Sequence, residues 1–177
     1  MRRMFVLSVI CILLLRLSSC STKENKDVTI SNQSPSQTFE AITDIVIEFP
    51  DTVYVNEKNS GIIKYKSVLD TITTSFSDKL KNRYVMLYLT LEIEPNNNAN
   101  YIKENGKIFG AKNNREILIY DLIFTKNGTH FIDGIISDYV VIDLNTKDRQ
   151  GSELVREIEN EKRITLKVFV ADRPSAK

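Results

Sequence analysis

Apolar and polar residues alternate with a period of two along most of the chain after Asp44, which is typical of half-buried β-strands. The clearest example spans residues 84–93, where one face carries only large apolar side chains: Val85, Leu87, Leu89, Leu91 and Ile93. The same alternation predicts shorter strands at residues 45–49, 53–55, 61–67, 116–125 and 163–171. The chain is therefore predicted to be rich in β-structure.

Turn-forming and polar residues separate these strands. Pro50-Asp51 and Asn127-Gly128 are turn signals. The asparagine-rich stretch 96–100 is too polar to be buried, so we predict a loop there. Residues 75–82 are predicted to form a loop or a single helical turn.

Two further segments allow more than one interpretation. Residues 129–144 form either one long strand or a bent pair, with Gly134 as a candidate β-bulge. Residues 152–159 fit a short helix, because Leu154 and Ile158 are four positions apart, but they also fit the alternation of a strand. We favour a strand for this segment.

About seven short strands with turns between them predict a single β-sandwich domain over residues 41–172, followed by a tail at 173–177. The segment Gly128-Thr129-His130-Phe131-Ile132 resembles the immunoglobulin-like strand that carries the tyrosine corner. His130 stands where the tyrosine would be, and Ile132 stands where the second core cysteine would be. The resemblance implies an all-β, antiparallel, immunoglobulin-like sandwich without a disulfide.

The N-terminus has the three parts of a secretory signal: Arg2-Arg3, an apolar run at residues 4–15, and small residues after it. The apolar run has 12 residues, whereas a transmembrane helix needs about 20. Leu17-Ser18-Ser19-Cys20 resembles the lipobox of bacterial lipoproteins. The resemblance implies a signal peptide at residues 1–19 and a diacylglyceryl anchor, with fatty acids such as palmitate, on the Cys20 thiol. The alternative is ordinary secretory cleavage after Ser21.

Residues 20–40 are polar and of low complexity, which predicts a flexible tether between Cys20 and the domain. Without residues 1–19 the chain has 21 basic and 23 acidic residues, a net charge of −2. This balance argues against binding to nucleic acid. Cys11 is removed with the signal peptide, so a lipidated Cys20 leaves no thiol for a disulfide, for catalysis or for a thiolate metal site.

The residues that usually perform catalysis are missing or isolated. His130, the single histidine, is either a general base or, as we favour, a corner residue that hydrogen-bonds the backbone. No serine lies in a nucleophile elbow, and no glycine-rich phosphate loop occurs. Glu92 and Glu94 share a strand face and are the nearest candidates for a paired-carboxylate glycosidase site. We predict that the protein is not an enzyme and uses no cofactor.

Two other sets of residues suggest ligands. Asp133, Asp138, Asp143 and Asp148 recur every five residues, but an odd spacing on a strand alternates faces, so they cannot converge as a calcium ladder. Asp143, Asn145 and Asp148 could share a cation-binding loop, although a solvated turn is the favoured interpretation. A sugar-stacking surface could be formed by five tyrosines: Tyr84, Tyr88, Tyr101, Tyr120 and Tyr139.

Three short motifs are similar to signals used by Bacteroidota. Asp51-Thr52-Val53 and Asp70-Thr71-Ile72 resemble the O-glycosylation signal of that phylum, which implies modification at Thr52 and Thr71. Lys23-Glu24 partly resembles the signal that directs lipoproteins to the cell surface. We treat the three motifs as one argument for this type of host.

Together these features predict an outer-membrane lipoprotein, attached through its lipid anchor on the periplasmic face or at the cell surface. Its domain is expected to be a binding or assembly module for an envelope protein or a glycan. The alternative is a carbohydrate-binding accessory subunit or a carboxylate-based envelope enzyme.

Replacing Cys20 by alanine tests the anchor. The Cys20→Ala protein lacks the thiol that takes the diacylglyceryl group, so it should leave the membrane fraction or accumulate unprocessed. Fractionation and mass spectrometry of the N-terminus measure both outcomes. A variant that is cut at the same bond and stays membrane-bound contradicts the assignment.

Overall fold

The computed structural model describes residues 40–173, and these residues are mainly β-structure. A short 3₁₀ helix, Val68–Thr71, and one α-helix, α1 (Ala99–Asn105), interrupt the strands. The strands of the described region are β1 Ile42–Glu48, β2 Thr52–Tyr54, β3 Lys58–Ser67, β4 Lys81–Glu92, β5 Lys107–Asn113, β6 Glu116–Ile123, β7 Gly128–Lys147 and β8 Glu153–Ala171. The prediction of an all-β domain is confirmed.

The eight strands form one curled sheet in the order β1-β3-β6-β5-β4-β7-β8-β2. Its neighbouring strands are antiparallel, except that β2 runs parallel to β8. The two halves are joined by β5, which pairs with β4 over Lys107–Gly110 and with β6 at Ala111 and Asn113. The sequence analysis predicted a sandwich of two antiparallel sheets, whereas the structure has one continuous sheet that includes a parallel pair. The spacing of turns predicts where strands lie, but it does not show which strands share hydrogen bonds.

The core lies on the concave side of this sheet and draws apolar side chains from both halves. Leu87, Ile63 and Ile117 are fully buried there, on β4, β3 and β6. The inward face predicted for β4 is confirmed at Val85, Leu87 and Leu89, and Leu91 packs against the core. The prediction is wrong for Ile93, which lies past the end of β4 and is exposed.

The two longest strands, β7 and β8, pair with each other and stay in register from Gly128 to Asp143. Gly134 is not a bulge, because its pairing with Leu89 on β4 is regular. An added Cβ at this position would lie 2.9 Å from the carbonyl oxygen of Tyr88. The glycine therefore permits a close approach of backbone and side chains. The strand predicted at residues 152–159 is confirmed as the first part of β8.

The asparagine-rich segment is only partly the predicted loop, because α1 begins inside it. The Asn98 side chain accepts a hydrogen bond from the Tyr101 amide and caps the helix. Ile102, fully buried, attaches the helix to the sheet. Asparagine acts here as a helix start, which composition alone does not distinguish from a loop. The loop predicted at residues 75–82 is confirmed for residues 75–80, whereas Lys81 and Asn82 already belong to β4.

The predicted signal peptide, Cys20 and most of the predicted tether lie outside the described residues, as do residues 174–177. Among the residues described, no helix has the length and apolar character that crossing a membrane requires.

Truncating Leu89 to alanine tests the core. Leu89 is 2% exposed, so Leu89→Ala should lower the free energy of unfolding by about 2–5 kcal/mol through lost burial and a new cavity. Denaturant titration measures the loss. Leu154→Ala is the matched control, since Leu154 is exposed on β8, and it should change stability by less than about 0.5 kcal/mol. Equal losses in both variants contradict the assigned core.

Candidate binding surface on the outer face of the sheet

The face of the sheet opposite the core carries apolar side chains on five neighbouring strands: they are exposed on β1, β6, β5 and β4 and half-buried on β3. Strand alternation puts them there, because their neighbours in sequence point into the core. About half of the Tyr120 and Ile108 side chains is accessible, at 55% and 56%. We define the outer apolar surface as Val46, Ile62, Tyr84, Ile108, Leu118 and Tyr120.

A depression of about 490 Å³ lies within this surface, between β1, β3 and β6. Ile62 and Leu118 are directly opposite each other in the β3–β6 ladder, and both line the depression with Tyr120. Gly61 lets β1 approach β3 closely, since an added Cβ would lie 2.6 Å from the Glu48 carbonyl oxygen. The depression is thus shaped by backbone packing as well as by side chains.

Exposed ion pairs border the apolar side chains. Lys64 pairs with Glu48 at 2.5 Å, and Lys58 pairs with Asp121 at 3.0 Å. The hydrogen bond with Glu48 raises the pKa of Lys64, and the hydrogen bond from Lys58 lowers the pKa of Asp121. Such exposed pairs contribute little to stability. They give the surface a polar rim around an apolar centre.

The Tyr120 ring is held by two neighbours. The Lys107 ammonium lies 5.2 Å from the ring centroid, and the ring meets Phe109 edge-on with centroids 5.3 Å apart. Lys107 also donates to the Tyr120 carbonyl at 2.9 Å. Cation–π and edge-to-face contacts of this kind orient an aromatic ring. The exposed ring is therefore positioned before any ligand arrives.

A buried ion network closes one end of the core, and the sequence analysis missed it. Arg83 makes a bidentate pair with Asp138, with its Nε 2.9 Å from Oδ1 and its Nη2 2.6 Å from Oδ2. Neither side chain has any accessible area. Arg83 also donates to Asp70 at 2.7 Å, and Asp70 accepts in turn from Arg115 and Asn114.

The protonation states in this network follow from its contacts. Burial alone would raise the pKa of Asp70, but hydrogen bonds from Arg83, Asn114 and Arg115 outweigh it, and the pKa lies below the usual value. Burial would lower the pKa of Arg83, but Asp138 and Asp70 more than compensate and raise it. Burial and the Asp138 charge raise the pKa of Tyr65. The Asp70 carboxylate and the Arg83 guanidinium therefore stay charged at neutral pH.

A second buried pair fixes the asparagine-rich loop to the outer face. Asp133, fully buried, accepts from Arg163 at 2.6 Å, from Thr165 at 3.0 Å and from the Asn96 amide at 2.7 Å. Arg163 also donates to the carbonyl of Asn96. The loop and α1 are thereby held over β4, β7 and β8.

The aspartate series does not converge, as its spacing predicted. Asp133 and Asp138 belong to the two separate ion networks. Asp143 accepts from the Asn145 amide, and Asp148 accepts from the amides of Gln150 and Ser152 in the β7–β8 turn. These contacts fit the turn interpretation. Residues 40–173 contain no group of three or more His, Cys, Asp or Glu side chains arranged to hold a metal ion.

His130 is placed as the corner hypothesis expects. It is 8% exposed, and its Nε2 lies 2.9 Å from the Lys126 carbonyl oxygen. A carbonyl can only accept, so Nε2 carries the proton. The ring packs edge-on against Phe124, with centroids 5.5 Å apart. These contacts attach the start of β7 to the preceding turn.

The other candidates are scattered. Glu92 ends β4 and is half-buried, whereas Glu94 lies beyond the strand and is exposed, so the two do not share a strand face. The five tyrosines divide among different places: Tyr84 faces Tyr139 across β4 and β7, Tyr88 is half-buried on β4, Tyr101 lies on α1, and Tyr120 lies on β6. They do not form one stacking surface.

Thr52 begins β2 and Thr71 ends the 3₁₀ helix, and both are exposed. The Thr71 hydroxyl donates to the Val68 carbonyl at 2.7 Å. Asp70, the first residue of the second motif, is engaged with Arg83 and Arg115. O-glycosylation at the two threonines stays a prediction.

Neutralising Asp70 tests the buried network. Asp70→Asn should lower the free energy of unfolding at neutral pH by about 1.5–3 kcal/mol, because two charge-assisted hydrogen bonds are weakened. The lowered pKa means that this stabilisation is present above about pH 4, the ordinary range of an unfolded aspartate, and is lost as the pH falls through the folded-state value. The difference between wild type and variant should therefore shrink in acid.

Denaturant titrations across this pH range measure that difference. Asp44→Asn is the control, since Asp44 forms an exposed pair with Lys66 at 2.7 Å, and it should cost less than about 1 kcal/mol. A difference between wild type and Asp70→Asn that is constant with pH contradicts the charged network.

No protein family, curated protein or solved structure matches this chain.

Proposed function

We propose that the protein is an outer-membrane lipoprotein, anchored through Cys20, whose β-domain binds another component of the envelope through the outer apolar surface. The anchor is supported by the lipobox-like sequence at residues 17–20 and by the short apolar run before it. The polar segment at residues 20–40 gives the domain reach from the membrane. The assignments to a Bacteroidota-type host and to its outer membrane are supported by the three short motifs that resemble signals of that phylum.

The observation that carries the binding proposal is the outer apolar surface itself. Exposed apolar side chains grouped on one face of a domain and bordered by polar residues are typical of interaction sites. Its apolar centre and its rim of ion pairs have the anatomy of a protein interface. The positioned Tyr120 ring supplies an aromatic anchor, the residue type that often contributes most to binding.

The contacts of the carboxylates support a non-catalytic role. Asp70, Asp133 and Asp138 are held in buried ion pairs, where they serve the fold. Glu48 is the one carboxylate among the residues that line the 490 Å³ depression, and it is paired with Lys64. A glycosidase needs two carboxyl groups facing one cleft.

Carbohydrate binding is the second candidate, because Tyr84 and Tyr120 expose about half of their area on the outer apolar surface. Flat, exposed tyrosine rings suit stacking against sugar rings. A glycan array probed with the full chain separates the two candidates. Specific glycan binding that Tyr120→Ala abolishes favours the carbohydrate function over a protein partner.

We also propose that the domain is related in architecture to the immunoglobulin-like fold. It is supported by the two halves of the sheet packing around one core and by the bond from His130 to the Lys126 carbonyl, which parallels a tyrosine corner. The continuous eight-stranded order differs from the two-sheet order of that fold. The function does not depend on this description, since a site and not a fold determines binding.

Paired substitutions test the binding surface. Leu118→Ser combined with Tyr120→Ser removes two central apolar side chains, so recovery of the partner with the full chain from detergent-extracted native membranes should fall about tenfold or more. Quantitative mass spectrometry of the co-purified proteins measures this recovery.

The control pair is Leu144→Ser with Leu154→Ser, which removes exposed leucines from the β7–β8 hairpin. It should retain the partner at the wild-type level. A partner profile that both pairs leave unchanged argues against binding through the outer apolar surface.

A further inference from the structure

The first part of β8 forms an open edge of the sheet. β2 follows β8 in the sheet order but pairs only with Phe169–Ala171. Residue 40 approaches the strand at Lys162, through the pair between Lys162 and Glu40. The stretch Glu153 to Glu161 has no hydrogen-bonded neighbour on this side among the strands described.

The backbone groups that face this edge can be identified from the register. Phe169 donates its amide to the Asp51 carbonyl on the β2 side at 2.9 Å. β8 stays in register with β7 from Val155 to Val170, so every second residue faces the same side as Phe169. The amides and carbonyls of Val155, Glu157, Glu159 and Glu161 therefore point outward.

Within residues 40–173, the opposite edge of the sheet is protected, but this one is not. On β1 the register shifts between Thr43 and Val46, and Asp44 has a φ of 51°. Such a bulge discourages a further strand. β8 has no proline, glycine or register shift from Val155 to Val168. Its edge is geometrically ready to accept a strand.

The charges along the edge select the kind of strand. Glu153, Glu157, Glu159 and Glu161 project on the outer face of the sheet, as alternation dictates. A second copy pairing antiparallel over this stretch would place glutamate near glutamate, which is unfavourable. A strand with lysine or arginine at every second position would place opposite charges side by side.

The carboxylates of these glutamates can accept further hydrogen bonds from the basic side chains of such a strand. Glu161 pairs with Lys103 of α1, Glu159 accepts from the Ser137 hydroxyl at 2.7 Å, and a hydrogen bond with Glu157 raises the pKa of Tyr139. Each carboxylate has about four acceptor positions. The Lys103 contact shows that a basic side chain reaches this row from the outer face.

We propose that residues 153–161 bind an extended Lys/Arg-rich polypeptide segment as an added β-strand. Main-chain hydrogen bonds to the open edge supply affinity, and the glutamate row selects basic side chains. The site is separate from the outer apolar surface and goes beyond the function proposed above.

A labelled peptide of alternating lysine and threonine is the probe, titrated into the full chain and followed by fluorescence anisotropy. The same peptide with alternate amides methylated should bind about tenfold more weakly, because its backbone can no longer pair. A peptide of alternating glutamate and threonine should not bind. Equal affinity of the plain and methylated lysine peptides overturns strand addition.

Variants of the edge complete the test. Val155→Pro removes an outward amide without changing charge or the pairing with β7, so affinity should fall about tenfold, whereas Val155→Ala should bind as wild type. Glu153→Gln with Glu157→Gln should weaken binding roughly fivefold. If Val155→Pro does not fold, the methylated peptide with the wild-type chain still decides.

The Leu118→Ser and Tyr120→Ser pair separates this site from the outer apolar surface. It should bind the lysine peptide with unchanged affinity. Loss of peptide binding in that pair would place the site on the outer apolar surface and overturn the edge proposal, whatever the outcome for the proposed function.

Discussion

Arg83 lies on the core side of β4 with no part of its side chain exposed, and the surrounding structure is arranged to neutralise it. A buried guanidinium is tolerated only with full charge and hydrogen-bond compensation. Asp138 on the neighbouring strand supplies one carboxylate, and Asp70 in the β3–β4 connection supplies the other. The connection is therefore drawn over the end of the core, and Arg115 brings the β5–β6 turn to the same place.

A second buried ion pair determines which part of the outer face is covered by α1 and the loop before it. Asp133 and Arg163 hold the loop before α1, and Ile102 packs the helix on the sheet. This arrangement covers β4, β7 and β8 near the helix, while β1, β3, β6 and β5 stay uncovered. Five of the six residues of the outer apolar surface lie on these uncovered strands, and Tyr84 lies on β4. The Asp133–Arg163 pair thus helps to decide which strands of the outer face are free of the connecting segment that contains α1.

Local pattern predicted the strands but not their assembly. The alternation around Leu89 gave its strand and its buried face, since side-chain direction has a period of two whatever the partner strand is. The sharing of β5 between two halves depends on pairings far apart in sequence. Likewise, the residues next to Arg83 in the sequence do not indicate that its side chain is buried. Its partner Asp138 is 55 residues away in the chain. The outer apolar surface could not be predicted from the sequence, because apolar residues such as Leu118 and Tyr120 also occur in strands whose two faces are both buried.

If the proposed function is correct, the outer apolar surface is occupied when the protein is in the cell envelope. Hydroxyl-radical footprinting of the full chain measures this directly, first in native membranes and then after purification in detergent. Occupancy predicts that Tyr120, Leu118 and Ile108 are protected in membranes and become reactive on purification, while exposed Leu144 on the β7–β8 hairpin reacts equally in both. Equal reactivity of all four side chains in the two preparations would mean that no partner covers this surface in the membrane.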